Sequence, residues 1–107
     1  MRVMVMTALV CLSVAASAAA QDAKAKGEKT YADQKCSLCH SIAGKGNAKG
    51  SLDGVGSKLK SDDIRAWLTD ANGMTAKTKA ARKPAMKQYA LPKDDVDALV
   101  AYLSSLK

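Results

Sequence analysis

The sequence predicts an all-α domain, on three observations. Ile64, Trp67, Leu68 and Ala71 recur at i, i+3, i+4 and i+7, the spacing of one helix face. Val96, Leu99, Val100 and Leu103 form a second such stripe near the C-terminus, and no segment shows the apolar–polar alternation of a half-buried strand. At 107 residues the chain fits one domain and excludes a multi-domain enzyme. Its 48% hydrophobic and 25% charged residues argue against a disordered chain. Aromatic residues make up only 4%, with one Trp and no Phe. So few bulky side chains leave room in the core for something that is not a side chain.

The N-terminus reads as an export signal. Arg2 supplies a positive start, Val3 to Val14 is almost entirely apolar, and Ala15-Ala16-Ser17-Ala18-Ala19-Ala20 ends it in small residues. Those are the three parts of a secretory signal peptide, with cleavage expected after Ala20 or, alternatively, Ala18. A retained membrane anchor is the competing reading, but a span needs about 20 apolar residues and this run is shorter. The domain division is therefore 1–20 signal peptide and 21–107 mature domain. Loss of twenty residues and of the Arg2 charge would take the 107-residue, +7 chain to 87 residues and +6. Export makes nucleic acid a poor partner for that charge. Cys11 would also be lost, leaving Cys36 and Cys39.

Asp22 to Lys35 reads as a helix, with Ala23, Gly27 and Tyr31 spaced by four on one face. A glycine inside a helix costs about 1 kcal/mol against alanine, so Gly27 should serve a close contact. Cys36-Ser37-Leu38-Cys39-His40 follows, reading C-x-x-C-H, the pattern of covalent haem attachment. Two thiols three positions apart sit close together in a helical turn and can both add to the vinyl groups on one porphyrin edge. His40 is then placed to ligate the iron. A Cys36–Cys39 disulfide, a thioredoxin-like pair and a zinc site are the competing readings. The pair lacks alternating strands and helices, and zinc usually takes four ligands where this domain offers one His and two Cys.

Residues 44–60 hold five of the seven glycines and read as irregular loop. Ser61 is the expected N-cap of the next helix, with Asp62 and Asp63 in its first turn and Gly73 as its stop. Trp67 falls on that helix's core face, with contact to the cofactor as the alternative. Lys77 to Lys87 is polar and aperiodic. The last helix begins around Pro92.

With Gly27, Tyr31, Cys36 to His40, Leu52-Asp53-Gly54-Val55-Gly56, Lys83-Pro84-Ala85-Met86 and a helix ending Leu99-Val100-Ala101-Tyr102-Leu103, the chain resembles a small class I cytochrome c from about Ala25 to Lys107. The resemblance implies a helical fold wrapped around one covalent haem c, its first and last helices crossing with Gly27 and Tyr31 opposite Leu99 or Tyr102. It implies a methionine as second axial ligand. Met86 is the candidate, because Pro84 holds its loop extended; Met74, after an expected helix end, is the alternative. Many relatives carry Pro where Ser51 stands, whose carbonyl accepts the outer N–H of the ligating His. The chain departs from the commonest pattern in placing Tyr31 five residues before Cys36 instead of four. In function the resemblance implies a periplasmic monomer, not an enzyme, shuttling single electrons through Cys36- and Cys39-bound haem with His40 and Met86 on the iron. Its partners would be an oxidase, a quinol-oxidising complex or a periplasmic dehydrogenase, with no membrane insertion after signal cleavage. Lys45, Lys49, Lys58, Lys77, Lys79, Arg82, Lys83 and Lys87 could form an electropositive rim that steers acidic partners, or an ordinary solvated surface. A five-coordinate haem protein that binds a gas or acts as a peroxidase is the alternative function.

Overall fold

The computed structural model describes residues 11–107; most of the apolar run of the expected signal, up to residue 10, lies outside the described residues. Helix α1 spans Cys11–Asp33 and so runs through the expected cleavage point instead of starting at Asp22. Its first half is rich in alanine, the residue with the highest helix propensity. The helix stops two residues earlier than the sequence suggested, because Lys35 takes a left-handed conformation (φ 56°, ψ 39°).

A 3₁₀ turn, Cys36–Leu38, leads into a two-residue hairpin of β1 (Ser41–Ile42) and β2 (Lys45–Gly46), antiparallel with Ser41 opposite Gly46. This strand pair was not expected: two residues are too short to show alternation. Its turn requires positive φ at Ala43 and Gly44. A second 3₁₀ turn (Ala48–Gly50) and the one-turn helix α2 (Val55–Lys58) occupy the stretch read as irregular loop.

Helix α3 covers Ser61–Thr69 and α4 covers Ala71–Thr78. Two expectations are corrected here. Ser61 is already helical and Lys60 holds the cap position; the Ser61 hydroxyl instead pairs with that of Ser104 at 3.2 Å. Gly73 does not stop a helix. The break falls at Asp70, whose carboxylate accepts the Gly73 N–H at 3.1 Å and so caps α4. Aspartate competes with the helical backbone for its own hydrogen bonds, which makes it a better breaker here than the glycine. Met74 therefore lies inside α4.

The last helix, α5 (Lys93–Ser104), starts after Pro92 as expected, with Asp94 and Asp95 in its first turn. Val96, Ala98, Leu99, Val100 and Leu103 are buried on it, joined by Tyr31 of α1 and by Ile64 and Leu68 of α3. The crossing of α1 and α5 is close because Gly27 has no side chain: a Cβ there would collide with the Ala98 carbonyl oxygen and lie 2.6 Å from the Tyr102 Cβ. Tyr31 meets Tyr102 edge-on, with ring centroids 6.1 Å apart. Of the two residues expected opposite Gly27, Tyr102 is the one that meets it. Arg65 of α3 holds Asp97 of α5 at 2.8 Å, and the Gly56 amide of α2 donates to the Leu106 carbonyl at 2.8 Å. The fold class is all-α, the short hairpin notwithstanding. Among the described residues no helix is long and apolar enough to cross a membrane.

Candidate functional site

The 3₁₀ turn brings the chemistry of residues 36–40 together. The amides of Cys39 and His40 both donate to the Cys36 carbonyl, at 3.1 and 3.0 Å. Both cysteines therefore sit on one turn with His40 immediately beyond. Both are free thiols, Cys36 half-buried and Cys39 exposed, so the disulfide reading has no support in the geometry. Burial pushes the Cys36 thiol upward, with smaller effects from its backbone hydrogen bond and from Cys39.

His40 is oriented from behind. Its Nδ1 donates to the Gly50 carbonyl at 2.9 Å, which leaves Nε2 with its lone pair. Burial lowers its pKa below the ordinary 6.5 and the nearby Arg82 charge adds to this, against the Gly50 hydrogen bond. A neutral imidazole with one nitrogen committed to a carbonyl is the form a metal binds. The acceptor expected from the resemblance was the Ser51 carbonyl; it is Gly50, one residue earlier. The close approach demands glycine there, since a Cβ would collide with the Cys39 carbonyl and the Arg82 guanidinium and lie 3.0 Å from His40 Nδ1.

Cys36, Cys39 and His40 open onto a cavity of about 510 Å³. Its wall includes Leu52, Val55, Leu59, Ile64 and Leu68, and it also holds Met86. Met74 is not in the wall, so of the two methionines only Met86 shares a space with His40. Trp67 is half-buried on the face it shares with Ile64 and Leu68 and lines the cavity with them, without joining the buried core cluster. Of the eight basic residues expected near a rim, Arg82 and Lys87 reach the cavity; all eight are exposed. Sequence reasoning missed Lys35, Thr75 and Tyr89 in the wall. Tyr89 carried a signal in its place three residues after Met86, and Lys87 lies over its ring at 5.3 Å. Burial raises the Tyr89 pKa, followed by the two cysteines.

Haem fits these residues. Two unpaired thiols share a turn, a neutral imidazole has a free nitrogen, and a thioether stands in the wall of an apolar cavity too large for this core to fill. The Tyr31 hydroxyl, buried and without a hydrogen-bond partner, marks the same cavity wall as incomplete without an occupant.

Fold and site together define a small helical protein that holds its porphyrin covalently. The family model for cytochrome c matches residues 24–107, and the chain belongs to the cytochrome c family. Haem c is accordingly its cofactor, with Cys36 and Cys39 at the attachment spacing, and haem-based electron transfer is its general role. No curated protein and no solved structure matches the chain.

Proposed function

We propose that the protein is an exported carrier of single electrons whose haem iron is held between His40 Nε2 and Met86 Sδ. The observation that carries the ligation is that His40 and Met86 share one cavity wall from which Met74 is absent. The haem, when bound, supplies a one-electron iron couple. The chain does the rest. Cys36 and Cys39 prevent loss of the porphyrin, and the Gly50 carbonyl keeps His40 in the ligating tautomer. The Met86 thioether, a soft neutral ligand, favours reduced iron and raises the potential. Leu52, Leu59, Ile64 and Leu68 exclude water. With His40 and Met86 both holding the iron, no coordination site would be left open, which would fit a carrier better than an enzyme.

The signal-like N-terminus supports a periplasmic setting, and the exposed Cys39 supports an edge of the porphyrin within reach of a docked partner. In this reading a monomer exchanges electrons with an oxidase, a quinol-oxidising complex or a periplasmic dehydrogenase. Visible spectroscopy of the haem-loaded protein tests the ligation. A sulfur-to-iron charge-transfer band in the oxidised protein, lost in Met86→Ala, is the expected result. Rapid carbon monoxide binding by the reduced parent would overturn it in favour of a five-coordinate haem.

A further inference from the structure

Among the described residues, hydrogen bonds tie the loop that carries Met86 to the body of the protein in one place. Among the described residues, 81–91 make no backbone–backbone hydrogen bond and no ion pair. Their hydrogen bonds to other segments both come from one side chain, Gln88, two residues beyond Met86. Its Oε1 accepts the Asn72 N–H at 3.0 Å and its Nε2 donates to the Thr69 carbonyl at 2.8 Å. Thr69 is the last residue of α3 and Asn72 lies in the first turn of α4. These are the backbone groups that helix ends leave without partners. The side-chain amide fits the break between the two helices because it offers one acceptor and one donor. A carboxylate could satisfy only the Asn72 amide, and an apolar side chain neither.

We propose that Gln88 is the positioning residue of the methionine ligand: it anchors the loop to the α3–α4 junction and so holds Met86 Sδ at the iron. This rests on the ligation proposed above. An iron–thioether bond competes with any ligand that can enter when the loop swings away, so each interaction made only by the closed loop adds to the closed population. Two ordinary hydrogen bonds correspond to about a 30-fold change in that equilibrium. Met86 and Leu91 pack against the core through apolar contacts that direct nothing sideways, and Arg82 approaches Gly50 through the end of a flexible side chain without a hydrogen bond.

The test is an imidazole titration of the oxidised, haem-loaded protein, read as loss of the sulfur-to-iron charge-transfer band. Gln88 is exposed, so its replacement removes no buried packing. Gln88→Met should bind imidazole about 30-fold more tightly than the parent. Gln88→Glu, which keeps the bond to Asn72, should gain only about fivefold. A merely structural glutamine would shift thermal unfolding and leave the imidazole affinity alone. Affinities within about twofold of the parent in both variants, with the band present in the parent, would overturn the role of Gln88. A parent without the band would instead overturn the Met86 ligation itself.

Discussion

Gly27→Ala separates intrinsic helix propensity from tertiary packing, because the two predict opposite signs. Propensity alone favours alanine by about 1 kcal/mol in a helix interior. The crossing with α5 opposes it. The new Cβ would meet the Ala98 carbonyl oxygen and would lie 2.6 Å from the Tyr102 Cβ and 2.7 Å from the Ala98 carbonyl carbon. Ordinary contact begins near 3.4 Å, so the helices must part by about 0.8 Å at the Tyr102 atom alone. A gap of that size forfeits a quarter to a half of the dispersion energy of neighbouring contacts. The atoms met are backbone and Cβ, which no rotamer change can move, so the cost belongs near the top of the overpacking range, about 3 kcal/mol. The net loss is about 2 kcal/mol, or about 10 °C in Tm for a domain of this size. Thermal unfolding of the haem-loaded protein by circular dichroism measures it, with Ala25→Gly on the exposed face of α1 as the control for propensity. A Gly27→Ala protein as stable as the parent, or more so, would refute the argument.

Three further outcomes follow from the same geometry. Tyr31→Phe removes a buried hydroxyl that has no partner within the chain and should stabilise the haem-free protein by about 1–2 kcal/mol in urea unfolding at about pH 8; a loss of stability would mean that the hydroxyl has a partner in the chain. The Tyr31 pKa is pushed up to about 12, chiefly by burial. Stability from this raised value is complete below about pH 10 and lost as pH rises from there towards 12, so the advantage of Tyr31→Phe should widen at about pH 11. Asp97 is held below the ordinary carboxylate value, first by its hydrogen bonds from Lys93 and Arg65. Its contribution is present above about pH 4 and lost as pH falls through the depressed value, so acid unfolding of Asp97→Asn should depend less on pH there. Gly50→Ala should destabilise by about 1–3 kcal/mol, because its Cβ collides with the backbone carbonyl of Cys39. A second change, Arg82→Ala, relieves only the flexible contact and should not restore stability in urea unfolding.

Much of the site was legible because its chemistry is local. Cys36, Cys39 and His40 lie within five residues, and a single turn brings them together whatever the rest of the chain does. The stripe from Val96 to Leu103 was legible for the same reason, since one helix face repeats every three or four residues. Errors arose where neighbouring groups competed for one hydrogen bond. Asp70 and Gly73 are three residues apart, and either could end α3; the carboxylate reaching the Gly73 amide decided it. The carbonyl facing His40 was expected from Ser51 and comes from its neighbour Gly50, since only the folded loop selects between adjacent carbonyls.

Trp67 and Gln88 were beyond local reading. Helical spacing places Trp67 beside Ile64 and Leu68, and all three line the cavity, but only the two aliphatic side chains also join the buried core. Gln88 carries no motif; its partners lie 16 and 19 residues away. The amino-acid order alone determined that two sulfurs and an imidazole share a turn and that amphipathic helices surround them, because covalent spacing and helical periodicity act over a few residues. Tertiary structure decided which methionine reaches the cavity, which carbonyl orients the imidazole and what anchors the loop. Those choices depend on contacts between segments far apart in the chain, whose meeting is set by the helix crossing at Gly27 and by packing around the space the porphyrin fills.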